Sequence, residues 1–159
     1  MNEHILILSE FWGVKNQQSI YFYYNTPIGY FPSRNKLKNF ILTLCRKEGK
    51  KVAEIRIIFC DKKELRSINR QFLQHDYDTD IITFPFSTPN SPLEAELYIS
   101  VPKIKEQSKE WNCSFQEELH RIIFHGVLHL CGYNDKKKKE ITIMREKEQE
   151  YLADYFGLK

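Results

Sequence analysis

Long apolar runs are missing from this 159-residue sequence. No stretch approaches the roughly 20 consecutive apolar residues that a membrane-spanning helix requires, which argues against a membrane protein. Cysteine is sparse: Cys45, Cys60, Cys113 and Cys131 are all there is, and no two form a CxxC pair. Neither a thiolate zinc site nor a disulfide framework is therefore expected, and the four read as reduced, mostly buried thiols of a cytoplasmic protein. Glycine and proline occur six times each, and nowhere do they build a linker. With no internal repeat either, residues 1–159 are expected to form a single domain. A large excess of one charge is also absent. The formal net charge of +3 neither demands nor excludes nucleic acid as a partner. The first ten residues carry Glu3 and Glu10 and no basic cluster, so they do not read as a secretory signal.

What is present suffices for a packed core: 42% of the residues are hydrophobic and 14% aromatic. Residues 5–8 read as a strand, and the aromatic stretch IYFYY at 20–24 as a second. Pro27, Gly29 and Pro32 mark 25–33 as a loop. Ser33 is a candidate N-cap for a helix to about residue 48, because Leu37, Phe40, Ile41, Leu44 and Cys45 recur with helical spacing and Gly49 can close it. Residues 52–60 read as a strand with Ala53, Ile55, Ile57 and Phe59 on one face. Asp61 and Glu64 form a capping-box pattern for a helix whose core face holds Leu65, Ile68 and Phe72. Strands follow at 80–84, ended by Pro85, and at 96–100, with a turn-rich loop at 87–92 between them. Pro102 suits the first turn of a helix to about 111. Ser114 and Glu117 cap a long helix running through Cys131, Gly132 fits its C-terminal turn, and a last helix spans about 136–155. Interleaved strands and helices predict an α+β domain, an α/β sandwich in which helices pack on a small mixed sheet.

The chemistry concentrates in HGVLHLCGYND, residues 125–135. Residues four apart on a helix share a face, so His125 and His129 can bind one ion there. Gly132 can turn the chain back, and Asp135 is the first residue past that turn with a suitable oxygen. Two imidazoles and a carboxylate leave a coordination position open, which is the pattern of a catalytic zinc site rather than a closed structural one. Spacing alone is as compatible with two core histidines, and Asp135, just before the four lysines 136–139, also suits an N-cap of the last helix. Gly126 stands where HExxH metallopeptidases carry their glutamate base, which argues against peptidase chemistry. Its smallness leaves room beside the ion for substrate or an adjoining strand. His120 lies five residues before His125, roughly 140° around the helix, and reads as a surface or core histidine. Asp80 either orients a ligand imidazole or ends a loop, and Tyr133 packs in the core or stacks on a base. The basic cluster Arg46, Lys47, Lys50 and Lys51 and the four-lysine run read by themselves as solvated helix faces.

The 125–135 segment resembles the signature HGxLHLxGYDH of the YbeY-type rRNA maturation endoribonucleases. A second block, Ile68-Asn69, Phe72, Asp76, Thr79-Asp80 and Phe84-Pro85, is similar in order and spacing to that family's LNxxYRxxDxxTDVLSFP. The likeness covers roughly 52–156. It implies a single α/β domain with the metal-binding helix at a central cleft. It also implies one zinc ion, on His125, His129 and Asp135, and a single-strand-specific endoribonuclease acting in rRNA processing and ribosome quality control. The partners expected are single-stranded RNA, rRNA, and a ribosomal subunit or ribosomal proteins. Two departures stand out. Asp135 occupies the position of the family's third histidine; a carboxylate remains a legitimate zinc ligand, and the added charge favours harder metals such as manganese. Leu73 occupies the position of an arginine that is a candidate for phosphate contact; Arg70, three residues earlier on the same helix, is the expected substitute and is placed with His125 and His129 among the catalytic candidates. Two further readings are a metal-dependent hydrolase of another small substrate, and a non-catalytic ribosome assembly factor with a structural metal.

Overall fold

Strand β1 (Ser19–Tyr24) opens the part of the chain, residues 19–158, that the computed structural model describes. The strand expected over 5–8 lies outside the described residues. Helix α1 (Arg34–Lys47) leads to β2 (Val52–Cys60), α2 (Lys62–Leu73), β3 (Ile81–Pro85), β4 (Leu93–Ser100), α3 (Val101–Glu110), α4 (Phe115–Leu130) and α5 (Lys138–Phe156). The strands form one sheet in the order β1-β2-β4-β3. β1 is parallel to β2 and β2 to β4, while β3 runs antiparallel to β4 along one edge. This is the expected α+β architecture with a small mixed sheet.

Alternation of side chains along the strands divides the molecule into two layers. Ile55, Ile57 and Phe59 of β2 and Ala95, Leu97 and Ile99 of β4 face the main core, with Leu37, Ile41 and Leu44 of α1, the apolar face of α4, and Met144, Tyr151 and Tyr155 of α5. On the opposite face Cys60, Leu65 and Ile82 make a second cluster beneath α2, flanked by Ile68, Phe84 and Tyr98. Ala53 is not on the core face. The pairing of β2 with β4 slips between Val52 and Glu54, so Val52 is buried in its place, the usual effect of an extra residue in one strand.

Helix ends follow local chemistry where a side chain can reach an orphan amide. The Asp61 carboxylate accepts from the Glu64 amide at 2.8 Å, and Ser114 Oγ from the Glu117 amide at 3.1 Å. Glu64 does not close the box; its carboxylate accepts instead from Asn25 Nδ2 at 2.6 Å. Ser33 precedes α1 as expected, but its backbone is left-handed (φ 57°) and its hydroxyl caps nothing. Phe72 departs from the expected core face: it is 61% exposed, and its ring meets Phe84 on the edge strand β3. β4 begins at Leu93 rather than 96, where the Leu93 amide donates to the Lys51 carbonyl at 2.7 Å.

The approach of α4 to the sheet sets the site. A Cβ built on Gly126 would lie 2.6 Å from Ile81 Cδ1 of β3 and 2.7 Å from Leu97 Cδ2 of β4. The missing side chain thus lets the helix sit directly on two strands, the second of the uses expected for that glycine. His125 is thereby held at the β3 edge. At the other end of α4, Gly132 (φ 105°) takes a conformation that L side chains rarely adopt and reverses the chain toward Asp135.

Candidate metal centre

His125 and His129 lie one turn apart on α4, and Asp135 comes from the loop that follows. The three offer donor atoms that all lie within 4.8 Å of one another. His125 Nε2 and His129 Nε2 are 3.0 Å apart, and Asp135 Oδ2 lies 3.6 Å from the first and 3.5 Å from the second. Tetrahedral ligands with bonds of about 2.0–2.2 Å sit about 3.4 Å from one another, so the triangle has the size that zinc requires. Asp135 does not cap the last helix. That role falls to Glu140, whose carboxylate accepts from the amides of Lys136 and Lys137 at 3.2 and 3.0 Å.

The orientation of both rings follows from their other nitrogens. His129 Nδ1 lies 2.8 Å from the Tyr133 carbonyl oxygen, which only accepts, so Nδ1 donates there and Nε2 is the nitrogen left facing the site. His125 Nδ1 donates to Glu148 Oε1 at 2.6 Å, which likewise turns its Nε2 to the site. Two imidazole nitrogens facing each other beside a carboxylate form a donor set suited to a cation.

Glu148 was not among the residues singled out from the sequence. It comes from α5, is only 5% exposed, and uses its second oxygen to accept from Arg121 Nη1 at 2.9 Å. Arg121 in turn donates twice to buried Glu118, at 2.9 and 2.7 Å. Burial pushes the Glu148 carboxyl up, but the hydrogen bond to His125 and the Arg121 charge outweigh it and hold the group below the usual carboxylate range. One sequence signal marks it. Met144, Glu148, Tyr151 and Tyr155 are the buried positions of α5, and an acid on that apolar stripe needs a partner.

The other candidates divide. Tyr133 packs rather than presenting its ring to a base: its hydroxyl donates to Glu48 Oε2 at 2.7 Å. Asp80 lines the cleft, but its Oδ2 accepts from Gln107 Nε2 at 3.0 Å, and the imidazole-orienting role open to it belongs to Glu148. His120 is a core histidine, with Nδ1 donating to the Gln116 carbonyl at 2.6 Å amid Phe31, Phe124, Tyr155 and Phe156. Arg70 is not brought to the histidines. Its guanidinium donates to Asp76 Oδ1 at 2.8 Å, beside Arg66 at 2.9 Å, on the outside of the 74–80 loop.

The three converging residues line a cleft of about 830 Å³, which Leu73, Tyr77, Ile81, Thr83, Pro85 and Lys136 also line. Among the described residues, Lys136 is the one lysine or arginine lining it.

Known proteins resemble this chain over most of its length. The family model described as Endoribonuclease YbeY matches residues 29–156. Two relatives named Endoribonuclease YbeY are similar: one from Bacteroides fragilis, 48% identical over 65% of this chain and 74% of its own length, and one from Cytophaga hutchinsonii, 36% identical over 86% and 96%. Among solved structures, that of TM1509 from Thermotoga maritima superposes with a TM-score of 0.61 at 27% identity, covering 87% of this chain and 90% of that one.

Proposed function

The chain belongs to the YbeY endoribonuclease family, and on that premise we propose that it is a zinc-dependent endoribonuclease. In this reading it cuts single-stranded RNA in rRNA maturation and ribosome quality control, working as one cytoplasmic domain on a ribosomal subunit or its proteins. The observation that carries the proposal is the convergence of His125 Nε2, His129 Nε2 and Asp135 Oδ2 at an open cleft. Those residues would hold one zinc ion, which would supply Lewis-acid polarisation of a phosphodiester.

The chain's own groups do the rest. Asp135, the most exposed of the three, would offset part of the ion's charge. Lys136 faces the incoming backbone and attracts it electrostatically. Tyr77, half-exposed and stacked on His75 with ring centroids 5.2 Å apart, offers a platform for an unstacked base. A duplex keeps its bases stacked and out of reach of such a platform, whereas a single strand can enter. Arg70 would act from outside the cleft: its side chain is 64% exposed, so an RNA phosphate can compete with Asp76 for it. The four unbridged cysteines support the cytoplasmic setting.

Elemental mass spectrometry and RNA cleavage test the proposal together. The expected outcome is about one zinc per chain, lost in His129→Ala and in Asp135→Ala, with cleavage of single-stranded RNA that returns when zinc is restored. A wild-type protein that takes up no zinc after reconstitution refutes it. Product ends bear on the nucleophile: a 2′,3′-cyclic phosphate marks attack by the RNA 2′-hydroxyl, a 3′-hydroxyl attack by water. One observation favours the assembly-factor reading. Leu73, at the position where the resemblance implies arginine, lines the cleft with an apolar side chain. In that case zinc is bound, RNA is not cut, and ribosomal particles bind His129→Ala as well as wild type.

A further inference from the structure

Both ligand histidines are buttressed by the last helix. The route to His125 is direct: Glu148 Oε1 accepts from His125 Nδ1 at 2.6 Å, while its Oε2 is held by Arg121. The route to His129 passes through the turn. Tyr133 offers its carbonyl to His129 Nδ1, its hydroxyl donates to Glu48, and Glu48 is held by Tyr151 and Lys147 of α5. The routes differ in kind. The first ends on a buried, ionised carboxylate, the second on a neutral backbone carbonyl that any residue at position 133 would supply.

We propose that Glu148 is a positioning residue that sets the affinity of the metal centre through His125, with Arg121 and Glu118 holding its carboxylate in place. The inference rests on the proposed metal site. A carboxylate on the far nitrogen does two things for a ligand imidazole. It fixes the ring, since a half-turn would place a carbon against Glu148 and aim a C–H at the site. It also raises the electron density at Nε2, making it a better donor to a cation. An apolar side chain would fill the same place on the stripe Met144, Tyr151, Tyr155 without bringing a charge into the core. The acid there is matched on both of its oxygens, one by the ligand and one by a guanidinium that itself grips a second buried acid. That matching aims the charge at one imidazole nitrogen. The His129 route sets no charge against the imidazole, so its loss is expected to matter less.

The test titrates metal-free protein with Zn²⁺ in competition with a chromophoric chelator. Wild type, Glu148→Gln, Glu148→Ala and Glu150→Gln are compared, and folding is checked by circular dichroism. Cobalt substitution adds an absorption spectrum sensitive to ligand geometry. Zinc affinity is expected to fall about 10- to 100-fold in Glu148→Ala, and by less in Glu148→Gln, whose amide oxygen still accepts from Nδ1 but carries no charge. Glu150→Gln, exposed two residues away and paired with Lys147, should bind as wild type does. Glu148→Gln preserves volume and keeps the test sharp where Glu148→Ala, which leaves Arg121 Nη1 without its partner, loses its fold. Folded Glu148 variants that bind zinc within twofold of wild type, with an unchanged cobalt spectrum, would overturn the inference and leave the metal site standing. A wild type that binds no zinc overturns both.

Discussion

Gly126→Ala tests whether the metal helix is fixed by contact with the sheet. The new methyl carbon would lie 2.6 Å from Ile81 Cδ1, 2.7 Å from Leu97 Cδ2 and 3.3 Å from Leu97 Cγ. Ordinary carbon contact needs about 3.5–4.0 Å, so each terminal methyl must retreat by about 1 Å. Ile81 is partly buried beside the cleft and can rotate toward it. Leu97 has no exposure and no room. Overpacking of this kind costs about 1–3 kcal/mol, and the trapped leucine argues for the upper half. Alanine returns about 1 kcal/mol through its better helix propensity. The net loss is then about 1–2 kcal/mol, or about 2–8 °C in Tm for a chain of this length. Calorimetry on the metal-free protein isolates the packing effect. Adding Ile81→Val, which removes one of the two obstructing methyls, should recover part of the loss even though it costs about 0.5–1.5 kcal/mol by itself. A Tm at or above wild type in Gly126→Ala would refute the close-contact argument.

Asp135→Asn keeps a donor oxygen but removes the charge, so zinc should be retained at lower affinity, while Asp135→Ala purifies with substoichiometric metal. Equal metal content in all three proteins would remove Asp135 from the site. Lys136→Gln should lower the slope of log affinity against log salt for single-stranded RNA by about 0.7, the value for one lost phosphate contact; an unchanged slope excludes Lys136 from RNA contact. Arg70→Ala should weaken RNA binding and turnover with zinc content intact, and wild-type values for both would end its candidacy. Burial holds the His120 imidazole below its ordinary pKa, against the hydrogen bond to the Gln116 carbonyl. The unfolded chain therefore takes the proton first. The stability from neutral His120 is complete above about pH 6.5 and is lost as pH falls through the lower folded value. Urea midpoints measured from pH 7.5 to 5 should fall more in wild type than in His120→Phe, and parallel curves would count against that assignment.

How far the sequence could be read depended on how far each determinant lies along the chain. The ends of α2 and α4 were legible because Asp61 and Ser114 act on amides three residues away. The body of β2 was legible because its alternation is local, yet its first residues misled: Ala53 was displaced from the core by a slip in pairing with β4, some forty residues distant. Phe72 sits at a correct helical interval from Leu65 and Ile68, but the helical repeat does not say where the sheet ends beneath it. Ser33 had the right residue type in the right place, and a left-handed backbone took its hydroxyl away from the helix.

The metal centre divides along the same line. His125, His129 and Asp135 span eleven residues, and a helix plus one glycine turn suffices to bring their donors together. Glu148 is held to His125 by the packing of α5 on α4, and Arg121 joins them only because that packing puts it opposite the same carboxylate. A pattern of ligands can therefore be recognised from one helix, whereas the groups that tune a ligand need two. The acid on the buried stripe of α5 is the trace such a group leaves in sequence. A buried carboxylate is unfavourable until paired, and the partners of this one are Arg121 and His125 of the metal helix. Reading the apolar stripes of neighbouring helices for such misplaced charges would have singled out Glu148 before the fold was known. It would have singled out Glu118 by the same rule, buried on α4 three residues before Arg121.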